Sequence, residues 1–417
     1  MFKIFKFGGS SIKGYDDIKY IARIISSFKS KKLIIVFSAI GNVTNMLEEV
    51  VDSYLQRDEK QKKKLEILKN LHYDIINNLF NENENENIKN EVFNLFLEIE
   101  WILEEEPIND RDYIYDQIVS IGELLSTKIL SNYLLSVGFD NEWVDARDLI
   151  RTNNSFKNAK INWIETSELV RKKICNKNII TQGFIGGTSE NYTTTLGREG
   201  SDFTAAILAY VLDANNITIW KDVPGLMNAD PQYFSHAKLF SEVSFDEAIE
   251  LAYYGAKVIH PKTIQPLKKK NIPLTIKSFL NPEKKGTTIK TLSTHTIPDI
   301  PSYIVKKNQL LISISDINLS FIIEEHISLI FNLLTKNSIS VNMMQNSAIS
   351  FSICIDNDRY KATALIKDLQ SHFKVFYNDN VNLYTVRHYN NESLKLILKN
   401  KEIILEQKSR NTIQIIA

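Results

Sequence analysis

The nine residues Lys3–Ser11, Lys-Ile-Phe-Lys-Phe-Gly-Gly-Ser-Ser, constrain this chain more than any other stretch. Ile4, Phe5 and Phe7 give it the apolar, aromatic make-up of a buried strand. Two glycines and two serines end the strand, and residues 12–28 carry a helical pattern. A strand that passes through Gly8-Gly9 into a serine-led helix start offers an anion site. Glycine lets a phosphate approach the backbone, and the helix N-terminus supplies unpaired N–H groups. Lys6 sets a full positive charge beside them. The same residues equally suit a plain turn at Gly8-Gly9 with Ser10 or Ser11 as a helix cap. The lysine precedes the glycines, the reverse of a Walker A loop, so nucleotide chemistry here would belong to another class.

With 417 residues the chain exceeds one ordinary core, and two or more domains are expected. Fifty basic and fifty acidic residues cancel, which removes the electrostatic reason to expect nucleic acid or an anionic membrane as partner. No apolar run reaches transmembrane length, and Lys3 and Lys6 interrupt the start of the chain, so neither a membrane span nor a signal peptide is expected. Cys175 and Cys354 lie far apart without ligand spacing and read as reduced core thiols of a cytoplasmic protein.

Residues 32–37, Lys-Leu-Ile-Ile-Val-Phe, form a near-continuous apolar run, the pattern of a central parallel strand covered on both faces. Small and hydroxylated residues follow, among them Ser38 and Thr44, at the strand end where open α/β sheets bind ligands; a helix cap at Thr44 or Asn45 explains them as well. Residues 46–105 are rich in helix formers, and the alternating Asn/Glu tract 81–87 inside them reads as a solvated loop. Residues 112–136 resume as one helix with an apolar stripe interrupted by Gly122-Glu123. Glu123 is then either a surface residue or a ligand to something cationic. Strands are expected at 139–144 and 178–185, followed by a polar loop through Thr193–Thr195 and then Gly197-Arg198-Glu199-Gly200-Ser201-Asp202. Ser201-Asp202 suits a helix N-cap, while the arginine's planar fork suits a carboxylate-bearing substrate. A strand at 217–220 leads to a long turn-rich connection, Lys221–Gln232, of the kind that carries function. A helix over 244–254 ends at Gly255. Lys257 beyond it complements the helix dipole or takes part in a site, and His260 before Pro261 reads as structural. After residue 291 the order strand, helix, strand, strand, helix, strand is that of a ferredoxin-like unit, and residues 381–416 look like a second copy that stops early.

Lys6–Ser11, Gly122–Ser126, Thr181–Gly186, Gly197–Asp202, Lys221–Gly225 and Gly255–Pro261 together, in this order, resemble the signatures of aspartokinases, and the C-terminal region resembles their ACT regulatory module. The resemblance implies an α/β amino-acid kinase fold, a parallel-rich sheet between helix layers, over residues 1–290. It also implies an α+β ferredoxin-like ACT-like domain over 303–378 and a partial second unit over 379–417. The implied activity is transfer of the ATP γ-phosphoryl group to the β-carboxylate of L-aspartate, with Mg²⁺ as the metal and a homodimer formed through the ACT region. Carried over by position, Lys6, Asp202 and Lys257 are the implied catalytic residues. Ser38, Thr44, Glu123, Arg198 and Ser201 are implied to hold aspartate, with Arg198 on the α-carboxylate and Glu123 on the ammonium. Gly8, Gly9, Ser10, Lys221, Asp222, Met227, Asp230, Gln232 and Lys257 are implied to face ATP.

Departures from the family pattern carry expectations of their own. Met227 and Gln232 stand where many relatives have tyrosine and arginine, which would weaken ATP binding. Asn342 stands where lysine-binding relatives have an aspartate, so feedback by lysine is expected to be weak or absent. A glutamate or acetylglutamate kinase of the same fold is the first competing reading, and a decayed, non-catalytic amino-acid-binding regulator is the second. The chain lacks a Gly-x-Gly-x-x-Gly unit, which argues against a fused homoserine dehydrogenase.

Overall fold

The computed structural model describes residues 2–9, 12–28, 32–107, 110–256, 258–292, 300–318, 320–398 and 401–417. Ser10 and Lys257, both assigned above to the site, lie outside the described residues. The chain divides into two compact units. One comprises Met1–Leu226, Leu239–Ile249 and Val258–Leu292, the other Met227–Lys238, Glu250–Lys257 and Ser293–Ala417.

The first unit begins with β1 (Lys3–Phe7), α1 (Tyr15–Ser27) and β2 (Leu33–Phe37), then the helices α2 (Val43–Leu55), α3 (Lys60–Leu79), α4 (Glu82–Glu104), α5 (Arg111–Val119) and α6 (Ile121–Ser136). It continues with β3 (Glu142–Trp143), α7 (Trp163–Lys173), β4 (Ile179–Gln182), β5 (Ile185–Gly187), β6 (Thr193–Thr195), α8 (Gly200–Val211) and β7 (Asn216–Lys221). The last elements are β8 (Glu242–Ser244), α9 (Phe245–Tyr254), α10 (Pro261–Lys269), β9 (Leu274–Ser278) and β10 (Thr287–Lys290). Its sheet runs in the order β3-β4-β2-β1-β7-β9-β10-β8 and is parallel except for the β9–β10 pair.

Strand alternation sorts the two faces of this sheet. Phe5, Phe7, Ile35 and Phe37 pack into the large core shared with α1 to α6, where Trp220 stacks on Phe7 with ring centroids 5.8 Å apart. Ile4 and Lys6 alternate to the opposite face, which α8 covers. All five residues of β2 are buried, as a strand covered on both faces requires.

Several local expectations change in three dimensions. The Asn/Glu tract 81–87, expected as a loop, opens α4, which starts at Glu82; a carboxylate at a helix start meets the positive end of the helix dipole. The helix expected from Ile12 begins at Tyr15 after Gly14. Residues 112–136 form two helices that break at Ser120. Thr193–Thr195 is a buried strand paired with β5, not the expected polar loop: β-branched threonines suit a strand, and their polar groups find partners inside, as in the Thr152–Thr194 hydroxyl pair at 2.6 Å. Cys354 is buried as expected, but Cys175 is exposed.

In the second unit, β11 (Ser302–Ser315), α11 (Glu324–Lys336), β12 (Val341–Asn346), β13 (Phe351–Asp356), α12 (Arg359–Gln370) and β14 (Lys374–Arg387) follow the expected βαββαβ order. α13 (Asn391–Leu398), β15 (Leu405–Lys408) and β16 (Thr412–Ile416) complete it. The sheet order is β12-β13-β11-β14-β16-β15, with antiparallel neighbours throughout. Residues 373–377 and 381–388, read as separate strands, are one long strand, β14. The break in apolar pattern between them marks a change of register against β11, with Asn308 and Asn380 in the left-handed region at φ +51° and +53°. The first halves of β11 and the last of β14 thus belong to the same part of the sheet as β15 and β16.

Candidate active site

Lys6 lies one residue from the C-terminal end of β1, and the alternation that buries Phe5 and Phe7 among helices α1 to α6 turns it toward α8. Its register partner on β7 is Ile219, so Lys221 two residues on shares its face. Asp202 comes to meet both lysines from the first turn of α8. The helix starts at Gly200, with Glu199 as its N-cap in the left-handed region at φ +54°. Ser201 and Asp202 therefore stand inside the first turn, and neither is the N-cap considered for them.

Asp202 Oδ1 is 2.5 Å from Lys6 Nζ and Oδ2 is 3.3 Å from Lys221 Nζ. Burial works to raise the Asp202 carboxyl, but the two ammonium charges outweigh it and hold the group below the usual carboxylate range. Two cations on one anion leave a net positive charge at the strand ends. Gly9 keeps the turn above them compact: a Cβ there would lie 2.4 Å from the Ala39 carbonyl oxygen, so only glycine permits the approach.

A cavity of about 610 Å³ opens over this triad. The structure brings Lys6, Gly9, Asp202 and Lys221 to its lining, together with Ser38, Thr44, Glu123, Arg198 and Ser201. Ser38 follows β2, Thr44 lies in the first turn of α2, Glu123 in the first turn of α6, and Arg198 on the exposed loop between β6 and α8. Gly8 sits beside the lining: a Cβ there would be 3.1 Å from Lys6 Nζ. Asp222 is exposed beyond β7 and does not line the cavity. Met227, Asp230 and Gln232 belong to the second unit, where Asp230 Oδ1 accepts the Gln232 N–H at 2.9 Å in a local turn. His260 caps α10, its Nδ1 accepting from the Lys262 N–H, in line with a structural role.

Glu123 is the most informative group. It is 3% exposed, its Oε1 is 3.5 Å from the Ala39 N–H, and its Oε2 has no partner among the described residues. Burial pushes the carboxyl up to about 8, although the Ala39 N–H and the Lys6 charge pull it down. A buried acceptor left open in this way is costly unless a ligand supplies the missing donor or cation. The surface alternative weighed for Glu123 is excluded by its burial.

Tyr115, Lys157 and Phe184 also line the cavity, though none was among the expected site residues. Phe184 adopts φ +70° inside one of the motifs quoted above. Tyr115 and Lys157 reach the cavity from segments that no local pattern connects.

A cavity with net positive charge at the strand ends, an exposed arginine and an open buried carboxyl suits a ligand carrying phosphate, carboxylate and ammonium groups. The family model described as "Amino acid kinase family" matches residues 1–278, and lysine-sensitive aspartokinase 3 of Escherichia coli is 33% identical over 359 residues, covering 84% of this chain and 77% of that protein. The chain belongs to the aspartokinases, within the amino acid kinase family.

Chloroplastic aspartokinase 1 of Arabidopsis thaliana is 31% identical across 88% of this chain and 66% of its own length. The crystal structure of Escherichia coli aspartokinase III in complex with aspartate and ADP covers all of this chain at a TM-score of 0.83 and 26% identity. As in that aspartokinase, the fold pairs the parallel-rich α/β unit with an antiparallel C-terminal sheet.

Proposed function

We infer that this aspartokinase transfers the ATP γ-phosphoryl group to the β-carboxylate of L-aspartate, giving 4-phospho-L-aspartate and ADP. The observation that carries the reading is the unpartnered, buried Glu123 carboxyl in one cavity with Arg198 and the Lys6–Asp202–Lys221 triad. A zwitterionic substrate needs one anionic and one cationic contact: Glu123, ionised by the ammonium it binds, serves the first and Arg198 the α-carboxylate, with Thr44, Ser38 and Ser201 offering hydroxyls. The β-carboxylate is then free to attack the γ-phosphorus while the bond to the bridging oxygen breaks. It is already ionised, so no base is required, and Asp202 serves to orient Lys6 against the migrating charge. The backbone at Gly8 and Gly9 suits the phosphates, with Lys221 on the nucleotide side; the family resemblance alone also assigns Ser10, Asp222, Met227, Asp230, Gln232 and Lys257 to ATP.

Mg²⁺ would arrive with ATP and supply charge neutralisation at the phosphates. Among the described residues no three His, Cys, Asp or Glu side chains gather to hold a metal. Among the described residues no helix is long and apolar enough to cross a membrane, and a cytoplasmic location suits an ATP-dependent biosynthetic step. Homodimerisation is assigned to the second unit, whose strand β12 is a sheet edge with Met344 half-exposed.

Hydroxamate trapping of the acyl phosphate tests the activity directly. Product is expected with ATP and aspartate and not with glutamate or acetylglutamate. Product from acetylglutamate alone would replace the reading with that of a sister kinase.

A further inference from the structure

Asp116 is fully buried on α5 and does not line the cavity, yet it holds the wall from which Arg198 projects. Its Oδ2 accepts the backbone N–H groups of Lys157 and Thr195, each at 2.9 Å, and its Oδ1 accepts the Thr195 hydroxyl at 2.7 Å. Thr195 ends β6, and the chain runs from it through Leu196 and Gly197 to Arg198. Gly197 is in the left-handed region at φ +73°, seated so closely on the neighbouring segment that a Cβ would lie 3.3 Å from the Lys157 carbonyl oxygen and 2.9 Å from Asn158 Oδ1. The Ala159 N–H donates to the Thr195 carbonyl at 2.9 Å. The base of the arginine loop is thus fixed from two sides, along β6 and from the 157–159 segment beneath it, and one carboxylate anchors both.

The neighbouring residue braces the opposite wall. The Tyr115 hydroxyl donates to Glu48 Oε1 at 2.6 Å on α2, the helix that carries Thr44. Lys157 Nζ lies over the Tyr115 ring, 4.8 Å from its centroid.

We propose that Asp116 is a positioning residue that sets where Arg198 stands, and through it the affinity of the site for its amino-acid substrate. The proposal rests on the reading of Arg198 as the carboxylate anchor. Asp116 touches neither substrate nor nucleotide in this scheme; it acts only through the two segments it ties. Because it makes three acceptor contacts, asparagine can replace it: one oxygen can take both N–H groups while the amide donates to the threonine hydroxyl. Alanine cannot.

The test is steady-state kinetics and calorimetric titration of aspartate on the full chain. Variants are Asp116→Ala, Asp116→Asn and Thr195→Val, each made alone and together with Arg198→Lys. Asp116→Ala should raise KM and Kd for aspartate by on the order of tenfold with kcat and the KM for ATP within about threefold, the pattern of lost uniform binding. Asp116→Asn should restore wild-type values. In the Arg198→Lys background the effect of Asp116→Ala should largely vanish, since two residues acting as one unit are not additive. An unchanged KM, or an equal rise in both backgrounds, overturns the proposal. If Asp116→Ala does not fold, Thr195→Val, which removes the hydroxyl contact alone, should show a smaller rise with the same dependence on Arg198, and an additive effect there is equally fatal. Wild-type protein that binds aspartate but forms no hydroxamate sinks the kinase reading and leaves the calorimetric arm to judge Asp116. Normal wild-type turnover with an indifferent Asp116→Ala sinks only the positioning role.

Discussion

Glu123 links burial to a measurable pH effect. Its carboxyl, held at about 8 in the free site, is largely neutral at pH 7. An ammonium group bound beside it favours the ionised form, so binding releases a proton below pH 8. KM for aspartate should therefore fall as pH rises, by up to about tenfold per unit between roughly pH 6 and 8, and flatten above that. Steady-state kinetics across this range check it, and Glu123→Gln should remove the slope. Lys6 has the simpler prediction: Lys6→Ala should lower kcat by at least about a thousandfold, the scale of losing a cation from the transferring phosphoryl group, with an unchanged circular dichroism spectrum. Far from the site, His72 is fully buried beside Phe96, its Nδ1 2.7 Å from the Leu68 carbonyl and its Nε2 without a partner among the described residues. Burial lowers it to about 4. A base whose folded value lies below its unfolded value of 6.5 contributes stability in full above 6.5, and loses it as pH falls toward 4, at up to about 1.4 kcal/mol per unit. Buried Glu123 and Asp116, both raised, slope the other way as carboxyls. The comparison is therefore urea unfolding of wild type against His72→Leu: the wild type should lose more stability than the variant between pH 6.5 and 4.

At the scale of elements, β6 shows what a residue pattern hides. Three threonines in a row read as polar, yet each is buried with a partner: Gln117 of α5 on the Thr193 backbone, Thr152 on the Thr194 hydroxyl and Asp116 of α5 on Thr195. In the second unit the decisive element is β12. Asn342 Oδ1 accepts from Lys306 Nζ at 2.7 Å, while its amide donates to Gln309 Oε1 and Asp356 Oδ1 at 2.7 and 2.9 Å. The side chain is thus engaged within its own sheet, with an ammonium of the chain itself on its oxygen. Free lysine is expected to inhibit only weakly, with the hydroxamate assay showing less than half inhibition at 1 mM, on the order of what a site without a buried charge partner binds. Inhibition at sub-millimolar lysine would show that another group supplies the missing carboxylate.

For the whole molecule, the two units differ in how far their sequence announced them. The parallel unit is written in its strands: β1, β2 and β7 are largely apolar runs whose C-terminal ends carry glycine, serine and lysine, so the sheet and the chemistry at its edge are legible together. The antiparallel unit is legible in element order but not in strand length, since β11 and β14 each run 14 residues through a register change. Its exposed apolar residues include Phe321, Met344, Ile349 and Phe376, which the homodimer proposed above would cover. Light scattering should give twice the mass of one chain, and Met344→Glu at the edge strand should shift it toward a single chain.

The sequence by itself determined the candidates for the proposed site: Lys6, Glu123, Arg198 and Asp202 each sit in a short motif that carries the family resemblance, at a strand end or a helix start marked by glycine. Only the tertiary structure decided that Lys221 shares Asp202 with Lys6, that Glu123 is closed off from water, and that Asp116 ties segments 41 and 79 residues away. The reason is physical. Apolar periodicity is a local property that any short window records, whereas a buried polar group takes whichever donors packing brings within reach, and those are chosen by the arrangement of strands and helices.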